Sequence, residues 1–400
     1  MIKQIDDIIE SSKLASIAKE KNPKIINGVI GVLMNNDGKL LVYDCVKNFM
    51  GHLNDSDYYG YSLVDGGPTF FERTTNFLFG KHKDLLAANF EITAIPTPGS
   101  TLAIFLALSL FNRNAKNIVM PNYYWNAYDN MITFFKLKKN KFNYLTDSGF
   151  DLESFKTTIR QVASKEKSFY VLLNDPANNP TGYSLSGEEW NSVIAFLNTF
   201  IDNKIYLILD IAYLDFKEGN YDDNRNFFLP FLNLAKNIMV CVCYSGSKTF
   251  ASYGLRIGSL TIFSKNYKGI YKLSKESIAY ARSVWSTVPS AGLQMYLNLT
   301  ASSANIESYT RELLGARCLL EERANLFLKE AKECGLAILP YKAGFFITIK
   351  TLSPKKVQTL LIKKGIYTVA LNYGIRLAIS GISITEIMGL ARKIKEVVIK

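Results

Sequence analysis

Residues 243–260 read CYSGSKTFASYGLRIGSL, and the apolar run NIMVCVCY (237–244) leads into them. Lys248 stands among small residues just past that run. Arg256 follows eight residues later, and Gly258 two beyond it. A chain rarely carries a lysine and an arginine into a core unless something there neutralises them. Taken alone, SGSK also reads as a surface lysine in a Gly/Ser loop. The rest of the chain decides between these two readings.

Working outward, short apolar runs rich in β-branched residues recur: EITAIPT (91–97), KNIVMPN (116–122), SFYVLLND (168–175), KIYLILDIAY (204–213), NIMVCVCY and SLTIF (259–263). Helical or loop stretches separate them, which predicts α/β architecture with a mainly parallel sheet covered on both faces. In such sheets ligands bind beyond the carboxyl ends of the strands. Those ends deliver Gly99, Ser100 and Thr101; Tyr123, Tyr124 and Trp125; Asn178 to Gly182; Asp210 and Tyr213; and Lys248. One such end would be ordinary loop chemistry, whereas five together predict one site.

A lysine, an aspartate, a phosphate cradle and a flat aromatic are what pyridoxal phosphate (PLP) requires. Its aldehyde needs an amine and its ring nitrogen a carboxylate. Its phosphate needs helix N-terminal amides, hydroxyls and an arginine. The SGSKT string is not a phosphate-binding P-loop, because the Gly-Lys-Ser/Thr order is broken and the upstream glycine is missing.

NNPTG (178–182), DIAY (210–213) and SGSKTFASYGLRIG (245–258) resemble, in order and spacing, the signatures of class I aminotransferases, which are fold-type I PLP enzymes. INGVIGV (26–32), NNDGKLLV (35–42) and Tyr61 through Gly66 are similar to the aspartate/aromatic aminotransferase group and its bacterial relatives. The resemblance runs from about residue 25 to 385. It implies a large domain with a mainly parallel sheet flanked by helices, plus a smaller α/β domain. Lys248 would hold PLP as a Schiff base and then move the substrate Cα proton. Asp210 would pair with the ring nitrogen, and Asn179 and Tyr213 with the ring hydroxyl. Gly99, Ser100, Thr101, Ser245 and Arg256 would cradle the phosphate, and Trp125 would stack on the ring. Arg376, in GIRLAISG, would grip the substrate α-carboxylate, with Gly31 close by. Tyr61 would reach the phosphate of the other subunit, which implies a homodimer with shared sites.

Two departures carry weight. Tyr128 stands where many relatives keep a histidine behind the aspartate, and its hydroxyl can donate to Asp210. The family's SNPP-like stretch is degenerate here, as STVPS (286–290). Just before it, Arg282 falls at the spacing of an arginine for a distal carboxylate, which favours an acidic substrate. An aromatic-rich mouth of Tyr58, Tyr59, Tyr61, Tyr123, Tyr124 and Trp285 favours an aromatic or apolar one. The resemblance thus implies transamination between an L-amino acid, aromatic or acidic, and a 2-oxo acid. Other PLP chemistry of the same fold (C–S lyase, decarboxylase, synthase) and a non-catalytic cofactor-binding or basic interaction protein stay open.

Composition sets the outer limits. At 400 residues the chain exceeds one simple core. The pattern divides it into an N-terminal arm with part of the small domain (1–48), a large cofactor-binding domain (49–300) and a C-terminal small domain (301–400). Residues 1–21 read as a helix or arm, 26–46 as strand, turn and strand, and 301–335 as one long amphipathic helix. The net charge of +12 is spread along the chain, and its densest cluster, KLKKNKF (136–142), is too short for a nucleic-acid-binding arm. The five cysteines form no CxxC pair, which predicts reduced thiols and a cytoplasmic protein. Two histidines, His52 and His82, leave little for a zinc site or a Ser-His-Asp triad, and no metal is expected. The N-terminus lacks the apolar core of a signal peptide, and no membrane span is expected.

Overall fold

The structure is a computed structural model and describes residues 7–265 and 267–398. A helix, Asp7–Lys21, precedes the two-residue strand β1 (Ile26–Asn27). The central sheet contains β2 (Glu91–Thr97), β3 (Asn117–Pro121), β4 (Lys138–Phe142), β5 (Ser168–Asn174), β6 (Lys204–Asp210), β7 (Ile238–Ser245) and β8 (Gly258–Ser264). Their spatial order is β2-β8-β7-β6-β5-β3-β4. Strands β7, β6, β5, β3 and β4 are parallel, and β8 runs antiparallel to both its neighbours.

The two-residue period of these strands feeds two cores. Phe169, Val171, Leu173, Leu207, Leu209, Val240 and Val242 pack on one face of the sheet. Tyr170, Leu172, Tyr206, Ile208, Cys241 and Cys243 pack on the other. A strand buried on both sides needs a continuous apolar run, which is what the sequence of each inner strand supplies. Cys241 and Cys243 serve as small hydrophobes.

A smaller domain is built from β9 (Phe346–Lys350), β10 (Ile366–Tyr367), β11 (Val369–Ala370) and β12 (Gly374–Ala378). β11, β12 and β9 form an antiparallel sheet in that order, while β10 pairs in parallel with β1. The helix Ser303–Glu333 joins the two domains. Tyr309, Leu313, Ala316 and Leu320 enter the large core, and Ala324, Phe327 and Ala331 enter the small one.

The expected hairpin over 26–46 does not form. Its turn is present: Asn35 Oδ1 accepts from the amides of Asp37 and Lys39, and Gly38 takes φ +74°. The flanks share only an isolated bridge, Met34 to Leu40, because they are bonded elsewhere. The Gly28 amide donates to Tyr367 O, the Met34 amide to Ser380 O, and the Leu33 amide to the Tyr253 hydroxyl. From Asp44 the chain is a helix, Asp44–Gly51. The Glu312 carboxylate, from the long helix, accepts its first amides at 2.6 and 2.8 Å. A carboxylate there satisfies orphan amides and opposes the helix dipole.

The register aligns the strand ends that matter. Asn174 lies opposite Asp210, and Asp210 opposite Cys243. Thr97 and Ser245 both lie opposite Gly258. A Cβ on Gly258 would meet Tyr244 O at 2.4 Å and Gly99 Cα at 2.8 Å. Both contacts are with backbone, so neither can swing aside. Gly258→Ala is therefore expected to lower stability by about 1–3 kcal/mol. Urea unfolding of the cofactor-free protein measures this, and an unchanged midpoint would contradict the packing argument.

Candidate active site

Beyond these strand ends lies a cavity of about 260 Å³. Gly31, Ser100, Thr101, Trp125, Asn179, Asp210, Tyr213, Ser245, Lys248, Arg256 and Arg376 all line it. Gly99 stands just behind: it takes φ +82°, and a Cβ there would reach Arg256 Nη2 at 2.6 Å. Only glycine fits that backbone conformation and that close approach without strain.

Lys248 belongs to a single helical turn, Gly246–Thr249, that opens directly off β7. Its Nζ lies 4.9 Å from the centre of the Tyr253 ring. Burial lowers the ammonium pKa to about 8; the Arg256 cation pushes the same way, and Asp210 opposes them. Arg256 has φ +51°. Its guanidinium donates to Ser247 Oγ (2.9 Å), Tyr253 O (3.1 Å) and Pro98 O (3.0 Å). It thus links the Lys248 loop to the start of the Ser100–Phe111 helix. That helix begins at the cavity, and its N-terminal end favours an anion.

Asp210 ends β6 and is buried. The Tyr128 hydroxyl donates to its Oδ2 at 2.6 Å, and the Ala212 amide to Oδ1 at 3.2 Å. Burial pushes the carboxyl up to about 6; the Tyr128 hydrogen bond, the Ala212 amide, Lys248 and Ser100 restrain the rise. Asp210 is thus mostly ionised at neutral pH. Tyr128 meets the Trp125 ring edge-on, with centroids 5.4 Å apart.

Arg376 comes from β12 in the smaller domain, yet it meets the large one. Nη1 donates to Asn179 Oδ1 at 3.2 Å, and Nη2 to Val29 O at 2.6 Å. Its guanidinium lies 4.5 Å from the centre of the Phe346 ring. The same ring explains Gly31, where a Cβ would meet Phe346 Cζ at 2.4 Å.

Tyr61 and Arg282 lie outside this cavity of their own chain. Tyr61 is 95% exposed. Arg282, in the last turn of the helix Tyr267–Val284, donates to Ser286 Oγ at 2.6 Å. The cavity also uses residues that reading strand ends did not single out: Asn174, whose side chain accepts from the Asn179 amide at 2.6 Å, Ser247 and Phe346. Asn174 and Ser247 stand within the quoted runs. Phe346, in a distant apolar strand, carries no signal of its own.

The sequence profile of the family "Aminotransferase class I and II" matches residues 24–394. The chain is 32% identical to the solved aminotransferase of Anaerococcus prevotii, with a TM-score of 0.95, covering 100% of this chain and 98% of that one. It is 22% identical over 381 residues to the mitochondrial aspartate aminotransferase of Dictyostelium discoideum, covering 94% of this chain and 87% of the relative. The aromatic-amino-acid aminotransferase of Burkholderia pseudomallei, solved covalently bound to pyridoxal phosphate, is 20% identical with a TM-score of 0.82, covering 100% of this chain and 98% of that one.

The chain therefore belongs to the class I and II aminotransferase family, with the fold-type I architecture. It is a pyridoxal-phosphate-dependent aminotransferase of amino acids. The residues present fit that cofactor. The cavity gathers an amine of lowered pKa, a buried ionisable carboxylate, an arginine beside a helix N-terminus and a flat aromatic wall.

A carboxyl whose pKa rises on folding, here from 3.8 to about 6, makes the folded state less stable as its proton leaves. The cost is absent below pH 4, grows between 4 and 6, and is complete above 6, at about 3 kcal/mol. Asp210→Asn should therefore stabilise the cofactor-free protein at pH 8 and leave it nearly unchanged at pH 4. Thermal unfolding at the two pH values measures this, and a variant less stable at pH 8 would contradict the assigned burial cost.

Proposed function

We propose that the enzyme transfers the amino group of an L-amino acid with an aromatic or acidic side chain to a 2-oxo acid, holding the substrate between Lys248 and Arg376. The convergence of Lys248, Asp210, Arg256 and Arg376 on one cavity supports this reading. When bound, pyridoxal phosphate supplies an aldehyde for the amino group and a ring that draws electrons from the substrate Cα. Lys248 holds the cofactor and carries the proton at the substrate Cα, and its lowered pKa keeps a useful fraction of the amine neutral. Asp210 pairs with the ring nitrogen, and Tyr128 steadies the ionised carboxylate. Asn179 and Tyr213 hydrogen-bond the ring hydroxyl, and Trp125 covers the ring face. Gly99, Ser100, Thr101, Ser245 and Arg256 receive the phosphate. Arg376 grips the α-carboxylate with its planar fork, and Gly31 lets the backbone come close.

Tyr61 and Arg282 act across a homodimer in this reading. Both stand on an outer face, where the Ser62 hydroxyl donates to Val288 O and ties their two segments together. Tyr59, Leu63 and Val284 are exposed in the same segments, an apolar character that association would cover. Tyr61 of each chain then reaches the phosphate in the other's cavity, and Arg282 the distal carboxylate of an acidic substrate. We assign residues 1–48 to an N-terminal arm and part of the smaller domain, 49–300 to the larger domain and 301–400 to the C-terminal smaller domain. Five free thiols support a cytoplasmic setting. Among the described residues no helix is long and apolar enough to cross a membrane.

Absorbance spectroscopy tests the assignment. Adding pyridoxal phosphate should produce a band that Lys248→Ala abolishes. Glutamate, aspartate or an aromatic amino acid should then convert it to the spectrum of the aminated cofactor, and a 2-oxo acid should restore it. Arg282→Ala should raise KM for acidic substrates about tenfold or more and leave aromatic ones within a few-fold. A band that survives Lys248→Ala, or equal losses for both substrate classes in Arg282→Ala, would overturn the corresponding assignment.

A further inference from the structure

We propose that Asp215, gripped by Arg225 and Thr249, is a positioning residue that locks the Lys248 turn to the Asp210–Tyr213 loop. The inference rests on the reading of Lys248 as the residue that holds the cofactor.

Asp215 stands two residues after Tyr213, in the short turn Leu214–Phe216. Thr249 directly follows Lys248. Its hydroxyl donates to Asp215 Oδ2 at 2.9 Å, while Arg225 Nη1 pairs with Asp215 Oδ1. Asp215, Arg225 and Thr249 are all fully buried, and none lines the cavity. Arg225 is fixed in turn: Nε donates to Phe77 O at 3.1 Å, and the guanidinium lies 3.6 Å from the centre of the Tyr221 ring. One carboxylate therefore fastens together the two chain segments that carry Lys248 and Tyr213.

Burying an ion pair is not an economical way to gain stability, because desolvation offsets most of the attraction and apolar side chains of similar volume do as well or better. What the pair adds is direction. A helical turn of four residues makes few bonds of its own. The turn Gly246–Thr249 has the Phe250 amide on Gly246 O and a cap from Ser245 to the Ser247 amide. Its first half is tethered by the Gly246 amide on Ile257 O (2.8 Å) and by Arg256 on Ser247 Oγ (2.9 Å), which leaves the Lys248–Thr249 half to be oriented. Asp215, with one oxygen on Thr249 and the other on Arg225, orients that half, and the Lys248 amine is set by it. Displacement of a reacting group by about 1 Å is enough to cost orders of magnitude in rate.

Thr249→Val tests this, since it keeps the shape and removes only the hydroxyl, and Thr249→Ser restores it. The readout is the rate at which cofactor-free protein develops the Lys248-dependent band after mixing with pyridoxal phosphate, together with the melting midpoint. Thr249→Val should slow band formation about tenfold or more. Thr249→Ser should stay within a few-fold of wild type, and both should melt close to it. Wild-type speed in Thr249→Val, or equal slowing in both variants, would overturn the proposal. If Thr249→Val does not fold, the double variant Asp215→Leu with Arg225→Met replaces the pair by apolar side chains, and slow band formation is again required. A wild-type protein with no Lys248-dependent band would instead overturn the underlying reading of Lys248.

Discussion

The structure turns on a half-buried lysine amine and a buried aspartate carboxylate at the carboxyl ends of the central strands. Burial acts against both charges: together with the Arg256 cation it lowers the Lys248 pKa to about 8, and against the groups that support the carboxylate it raises that of Asp210 to about 6. Neither group is neutralised by a tight ion pair with the other. Asp210 is instead supported by the Tyr128 hydroxyl and the Ala212 amide. Such an arrangement costs stability and persists where chemistry needs it. It also gives a lysine and an arginine a place at the point where the chain leaves its core: both line the one cavity, where the proposed reading sets the first against the cofactor's aldehyde and the second against its phosphate.

The same constraint shapes the architecture around the site. The parallel strands bring Asn174, Asp210 and Cys243 into one row, and Gly258 lets Thr97 and Ser245 close a second. Arg376 arrives from the other domain and bonds Asn179 and Val29 O. Arg376 therefore reaches the cavity from a different sheet than the one that carries Asp210 and Lys248. Arg323, on the helix Ser303–Glu333, ties the turn at Met34–Asn36 to Ser380, donating to Ser380 O, Met34 O and Asn36 Oδ1.

Much of this is legible in the sequence, for a local reason. In a parallel sheet each strand is an apolar run, and the residue after it faces the ligand, so Ser100, Asn179, Asp210 and Lys248 can be read off in chain order. Features set by distant contacts are not legible in this way. The stretch 26–46 reads as strand, turn and strand, yet its hydrogen bonds go to Tyr367, Ser380 and Tyr253, and Glu312 caps its end as a helix. Arg225 sits in the polar string YDDNR and looks like a surface residue until Asp215, ten positions earlier, is found against it. Phe346 is one apolar residue among many until Arg376 and Gly31 meet it. Tyr128 is legible only through the family resemblance, since it stands three residues after Trp125, where many relatives keep a histidine behind the aspartate.

The central claim is that one lysine, set in place by this fold, holds the cofactor. Borohydride reduction of the loaded protein followed by peptide mass mapping tests it most directly. The account predicts a single added pyridoxyl phosphate mass, on the peptide that contains Lys248. The same mass on another lysine, or spread over many, would contradict it.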